Sequence, residues 1–221
     1  MKNTYLTILI LLCLNFANAQ TSDSLTTPAA DKVQPSENTS KEQKKFGFAV
    51  FLKLYYTQPG AIGNNVLSKA NEGAYGFGIE HNVIRYDNFY LAPGYEFTGY
   101  NVTDVALAGN IEHTNINNYY LRVAYKLDVV KKLTVSPFIT GGALMIHQKT
   151  NGKSYGKQRG AAFGLGADVD FYLEQGLSLF ARARYNYLSP NVAANAEYES
   201  FFNNLQQLNF SLGLRVDIIN K

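Results

Sequence analysis

Histidine is the side chain best suited to proton transfer near neutral pH, and the chain has three: His81, His113 and His147. A serine activated by a histidine that a carboxylate orients would give acyl-transfer chemistry. His147 has Ser154 in the segment that follows it, with Glu112 and Glu197 in two other polar segments. No close His-x-Ser pairing joins them, so a lipid-modifying enzyme stands last among the readings and no catalytic residue is assigned. The histidines are far apart and Cys13 is the only cysteine, so no metal-ligand spacing is present. Phosphate loops and dinucleotide fingerprints are likewise missing. The expectation is a non-enzyme with no metal and no cofactor.

Charged residues offer more. Lys53, Arg122, Lys126, Arg182, Arg184 and Arg215 stand with Glu80, Glu96, Asp168, Asp170 and Asp217 at alternate positions inside otherwise apolar segments. Six positive and five negative groups on one face suit either a polar conduit for ions and small solutes or a salt-bridged plug. A second set, Lys149, Lys153, Lys157 and Arg159, falls between Gln148 and Gly160 with no acid among them. It reads as a solvated loop, or as a contact for phosphates of a surface glycolipid or another acidic ligand. A third, Tyr198, Phe201 and Phe202 beside Glu197 and Glu199, reads as a contact patch for an unidentified extracellular ligand or as aromatics folded back onto the body of the protein.

The elements that carry these residues announce themselves by period-two alternation. Residues 46–56 put Phe46, Phe48, Val50, Leu52, Leu54 and Tyr56 on one face, and residues 208–218 do the same with Leu208, Phe210, Leu212, Leu214, Val216 and Ile218. Between them, 74–83, 89–100, 118–127, 133–147, 160–172 and 178–187 repeat the pattern. Such alternation predicts eight strands, each with one apolar face. The connections Ile84–Asn88, Asp128–Lys132 and Glu174–Leu177 are short, whereas those after about Thr57, Asn101, Gln148 and Leu188 are expected to run a dozen residues or more. Short turns on one rim and long loops on the other are the layout of a transmembrane β-barrel. Pro93 and Pro137 lie inside strands, where each removes a ladder donor, and a bulge or widened pairing is expected at both.

The non-apolar face decides which side is out. Besides its balanced charges it carries Gly76, Gly78, Gly94, Gly164, Gly166 and Gly213, small residues of the kind a narrow interior requires. The apolar face is nearly free of charge. Tyr56, Tyr75, Tyr119, Tyr185 and Tyr187 form one predicted aromatic girdle on it, and Phe46, Phe89, Tyr125 and Phe171 the other. A soluble barrel would show the reverse, with apolar residues inside around a ligand. Only 17% of residues are charged, 30 of 221 are Tyr or Phe, and the net charge is +3. A nucleic-acid partner is excluded on that balance. Mean hydropathy is −0.16 because the two faces cancel.

Residues 1–19 read as a secretory signal: Lys2, an apolar core from Leu6 to Leu14, and Ala17-Asn18-Ala19 for cleavage after Ala19. Leu12 before Cys13 argues against lipidation. Residues 20–45 are rich in Ser, Thr, Pro and charge, and are expected to form a disordered periplasmic leader. Residues 46–221 form the barrel.

In these features, 46–219 resembles the small outer-membrane β-barrel family, the eight-stranded group that includes OmpA-type and OmpX-type barrels. The resemblance rests on Pro137-Phe138-Ile139-Thr140-Gly141-Gly142, Gly164-Leu165-Gly166-Ala167-Asp168-Val169-Asp170, Leu179-Phe180-Ala181-Arg182-Ala183-Arg184-Tyr185 and Leu212-Gly213-Leu214-Arg215-Val216. It implies residence in the outer membrane, contact with that membrane's lipids and surface glycolipid, and assembly by the barrel insertion machinery. One departure is the terminal Ile218-Ile219-Asn220-Lys221, where many such barrels end on an aromatic residue. The role expected is structural or surface-interacting; a narrow channel for small or hydrophobic solutes is the alternative.

Overall fold

The computed structural model describes residues 46–174 and 176–220. The predicted signal segment and leader lie outside the described residues. Eight long strands dominate: β1 (Ala49–Ile62), β2 (Asn71–Asn82), β3 (Phe89–Val102), β4 (His113–Tyr125), β5 (Leu133–Thr150), β6 (Lys153–Glu174), β7 (Leu177–Pro190) and β8 (Leu205–Asn220). Each pairs antiparallel with its neighbours in sequence, and β8 pairs with β1, so the sheet closes on itself. Following the register from Lys53 through Glu80, Gly94, Tyr120, Gly142, Ala162 and Leu188 to Leu205 arrives opposite residue 63. That stagger from 53 to 63 tilts the strands by roughly 40° in an eight-stranded barrel.

Closure removes every sheet edge, and the alternation then sends one set of side chains outward. Leu54, Phe77, Ile139, Leu165, Phe210 and Leu212 are among many large apolar residues left exposed, Leu212 by 68%. An apolar belt of this extent is stable only against hydrocarbon. Rings on the outward face of β2 to β4 touch in sequence: Tyr75–Phe97 at 5.8 Å, Phe97–Phe77 at 5.2 Å, Phe77–Tyr95 at 6.4 Å and Tyr95–Tyr119 at 5.0 Å.

The turn rim is tight. Short pieces Ile84–Tyr86 and Leu127–Val130 extend β2 and β4 into hairpins with β3 and β5. The opposite rim carries short helices α1 (Val66–Ala70), α2 (Val105–Ala108) and α3 (Glu199–Asn203). α1 starts at a capping box, the Asn65 side chain accepting from the Ser68 amide at 3.1 Å.

One expectation is corrected. The segment from Gln148 to Gly160 is not a long loop: β5 and β6 continue beyond the belt as a hairpin that reverses at Asn151-Gly152. Both turn residues have positive φ, 49° and 73°, the type I′ geometry that Asn-Gly favours. The widened pairing expected at the two prolines is present on one side of each, while their registers with Leu121 and Ala167 on the other side run through unshifted. β2 and β3 pair at Glu80↔Gly94 and resume at Ile84↔Leu91, three residues bulging opposite two, and β4 and β5 pair at Ala124↔Phe138 and resume at Leu127↔Val135. Each proline sits in such a gap, where a missing N–H leaves no acceptor stranded.

Candidate functional site: the lumen and the outer rim

Inward residues at mid-height build an ion cluster from five strands. Asp168 on β6 accepts from Lys53 on β1 at 2.8 Å, Arg122 on β4 at 2.7 Å and Arg182 on β7 at 2.6 Å. Glu80 on β2 accepts from the same two arginines, at 2.6 and 3.0 Å. Asp170 takes the Lys53 ammonium at 2.8 Å. Three cations meet three carboxylates, all of them buried.

Two further neutral pairs flank this cluster. Toward the helix-bearing rim Arg184 pairs with Glu96, which also accepts from Asn209 at 3.0 Å. Toward the turn rim Arg215 pairs with Asp217 at 2.7 Å and lies 4.0 Å from Asp170. Buried charges remain ionised at tolerable cost only when paired and hydrogen-bonded. Here each level balances its own charge. Lys126 is the exception among the eleven lumen candidates. It is partly exposed at the turn rim and pairs with Asp128 at 3.0 Å, outside the cluster. Partial burial alone would raise the Asp128 carboxyl, but hydrogen bonds from Lys126 and Thr134 hold it below its ordinary value.

Aromatic rings fill the space between the charges. The Tyr55 and Tyr120 hydroxyls meet at 2.9 Å, and Tyr120 donates to Glu80 at 3.2 Å. Guanidinium and ammonium groups lie over rings, Arg122 over Phe138 and Lys53 over Phe180, both at 4.4 Å. Gly78 and Gly94 make this packing feasible, because a Cβ at either would enter the ring of Tyr55 or Tyr120.

Sequence reasoning missed what lies above. The outer third of the lumen is apolar: Tyr100, Ile116, Leu144, Ile146, Ala162, Leu188 and Leu205 pack with Leu67, which α1 lowers into the mouth. Gln207 joins this layer to the polar one by donating to the Tyr100 hydroxyl at 2.7 Å. Inward apolar residues on β4, β5 and β7 near the loop rim were the available signal, since a water-filled channel would have no use for them. At the other end the lumen opens into a vestibule of about 710 Å³ lined by residues including Phe51, Arg85, Tyr172 and Arg215.

The remaining candidates separate. Phe202 folds back, lining a small cavity with Val66, Leu67 and Leu205. Phe201 stacks edge-on against it at 5.3 Å, and Tyr198 stays exposed. His81 lies exposed near the turn rim while His113 and His147 are at the other end. Among the described residues neither Ser154, Glu112 nor Glu197 hydrogen-bonds a histidine; His113 instead meets Asn101 at 3.2 Å. No group of three or more metal-ligating side chains occurs among the described residues. Lys157 pairs across the hairpin with His147, Arg159 with Met145 and Lys149 with Ser154, while Lys153 flanks the turn.

No family model matches the chain, and no curated protein does. Solved structures do. Neisserial surface protein A (NspA) aligns at a TM-score of 0.59 with 15% identity, over 76% of this chain and 97% of that one. OprG from Pseudomonas aeruginosa aligns at 0.52 with 10% identity, over 78% and 97%. A major outer membrane protein from Thermus thermophilus aligns at 0.50 with 12% identity, over 76% and 99%. What is shared at such identities is architecture: this chain has the fold of the small eight-stranded outer-membrane β-barrels.

Proposed function

We propose that the protein is an integral outer-membrane barrel with a closed lumen, serving as a structural and surface-interacting element of the envelope rather than as a conduit or an enzyme. The observation that carries this reading is the Lys53–Glu80–Arg122–Asp168–Arg182 cluster, which ties five of the eight strands together across the lumen. A solute would have to separate several buried ion pairs at once, each costing on the order of 3–5 kcal/mol to leave broken, and then displace the apolar layer under Leu67. The lipid-facing belt supports the membrane location, and the signal pattern of residues 1–19 supports export with cleavage after Ala19 and a periplasmic leader over 20–45. Delivery to the membrane would then fall to the barrel insertion machinery.

The test is solute flux. Proteoliposomes carrying the folded protein are expected to swell in small sugars and amino acids no faster than empty liposomes. Swelling at porin-like rates would overturn the closed-lumen reading and favour the channel.

A further inference from the structure

The turn rim treats its first two hairpins differently. In the first, the short strand Ile84–Tyr86 is paired on both sides. One partner is β3, through Ile84↔Leu91 and Tyr86↔Phe89. The other is Phe46–Gly47, which adds as a strand through Phe46↔Tyr86 and Gly47↔Arg85. In the second hairpin, Leu127–Val130 pairs with β5 alone. Just before it, the Lys126 amide donates to the Asn88 carbonyl at 2.8 Å, and there the first hairpin stops. Beyond that point, among the described residues, no strand covers the other edge of Leu127–Val130. A bulge between Asp128 and Val130 twists the strand, and its four residues are exposed. Such an edge presents backbone N–H and C=O groups to an extended chain laid beside it.

Charge around this edge is out of balance. Asp128 and Val130 line the vestibule together with Arg85, Lys126, Lys131 and Arg215. Four cations there face two carboxylates, Asp128 and Asp217, and both carboxylates are occupied. Asp128 is held by Lys126 at 3.0 Å and Thr134 at 2.8 Å, and Asp217 by Arg215 at 2.7 Å. Arg85 and Lys131 make no ion pair among the described residues. The Arg85 Nε donates to the Asp87 carbonyl at 2.9 Å, close to where the bare edge begins. Lys131 follows Val130, where the edge ends. Asp87 and Glu174, also on this rim, do not line the vestibule. The mid-lumen cluster, with three cations to three carboxylates, has no such excess.

These features select the occupant. A second copy of the same edge would bring its own Lys131 and Lys132 and be repelled; an acidic chain would be drawn in. At about 710 Å³ the vestibule has the size of a ligand site, and Phe51, Tyr90 and Tyr172 give it aromatic walls. Ladder bonds along an edge require an extended, α-linked peptide. A phospholipid headgroup offers no such ladder, and the vestibule opens inside the barrel wall, away from lipid.

We propose that the bare edge of Leu127–Val130 and the adjoining vestibule form a docking site for an extended acidic segment of a periplasmic protein. The segment would add as a strand beside Leu127–Val130, with its carboxylates on Arg85 and Lys131. Phe46–Gly47 shows the same mode of addition on the neighbouring hairpin. The inference rests on the membrane-barrel reading above, which turns this rim to the periplasm.

The full mature chain, folded in detergent, is titrated into a fluorescent octapeptide alternating glutamate and valine, and binding is read by anisotropy. This peptide is expected to bind, and a lysine–valine octapeptide is not. N-methylation of alternate backbone amides is expected to weaken binding about tenfold, through lost ladder bonds. R85Q/K131Q should also weaken it about tenfold, whereas K149Q/K157Q on the opposite rim should not. Heat-dependent gel mobility verifies that both variants are folded. Failure of the acidic peptide to bind at about 1 mM would overturn the proposal. So would equal binding of the N-methylated peptide, unchanged binding by the folded R85Q/K131Q variant, or equal binding of a cell-wall stem peptide with its γ-linkage and D-residues. Sidedness is tested apart from the site. In cells, Lys132→Cys is expected to react with a membrane-impermeant maleimide only after the outer membrane is permeabilised. Reaction in intact cells would overturn the periplasmic partner and the membrane orientation together, while the peptide assay alone judges the site.

Discussion

The middle and the outer third of the lumen close the same space by opposite means. At mid-height, Lys53, Glu80, Arg122, Asp168 and Arg182 interlock as ions over five strands. Above them, Leu67, Ile116, Leu144, Ile146, Leu188 and Leu205 exclude water by apolar packing around a helix lowered from a loop. The ionic layer fastens strands to one another, and its members depend on each other for neutrality. The apolar layer depends on one short helix anchored by its Asn65 cap. Damage in the first should therefore spread through the whole barrel, whereas damage in the second should stay local.

The largest expected effect follows from Asp168→Ala, which deprives three buried cations of their shared carboxylate. Global stability in urea is expected to fall by about 3–5 kcal/mol, read as a lower midpoint for the loss of heat-dependent gel mobility. A change below about 1 kcal/mol would erase the distinction between the two layers. Leu67→Ala comes next, at roughly 2–3 kcal/mol for a buried leucine that a loop can partly resettle over. Its mark should be faster amide exchange in α1 and the ends of β2 and β8, with protection at Arg122 and Arg182 kept. Global loss of protection would contradict the local character assigned to it. Gly78→Ala probes the ionic layer by crowding, since its methyl would enter the Tyr55 ring; a cost of about 1–3 kcal/mol is expected. Pro93→Ala should stay within about 1 kcal/mol, because the ladder already lapses beside it. The smallest effect is spectroscopic. By NMR the His147 ring is expected to titrate below an ordinary histidine and be neutral at pH 7, its first protonation appearing as pH falls. K149Q/K157Q should move that midpoint upward.

The two layers also differ in how openly the sequence declares them. All eight strands were legible, because apolar residues at every second position over eight or more residues fit a half-buried strand and no helix. The inward position of Lys53, Asp168 and Arg182 followed from the same pattern. Their meeting did not, since Lys53 and Asp168 are 115 residues apart and contact depends on a stagger that alternation alone leaves open. The apolar layer was hidden for a different reason. Ile116, Leu188 and Leu205 extend strands past the segments of clean alternation, and Leu67 comes from a loop with no period at all. Lys149 to Arg159 were read as a loop from their charge, although Asn151-Gly152 carried the hairpin signal. Their place in a hairpin became visible only through the register.

Single-channel recording on purified, heat-modifiable monomer in a planar bilayer tests the closed lumen most directly. No stable conductance is expected for the natural sequence, and none for Leu67→Ala, whose ionic layer is intact. A steady conductance of porin size from the unaltered protein would contradict the closed lumen.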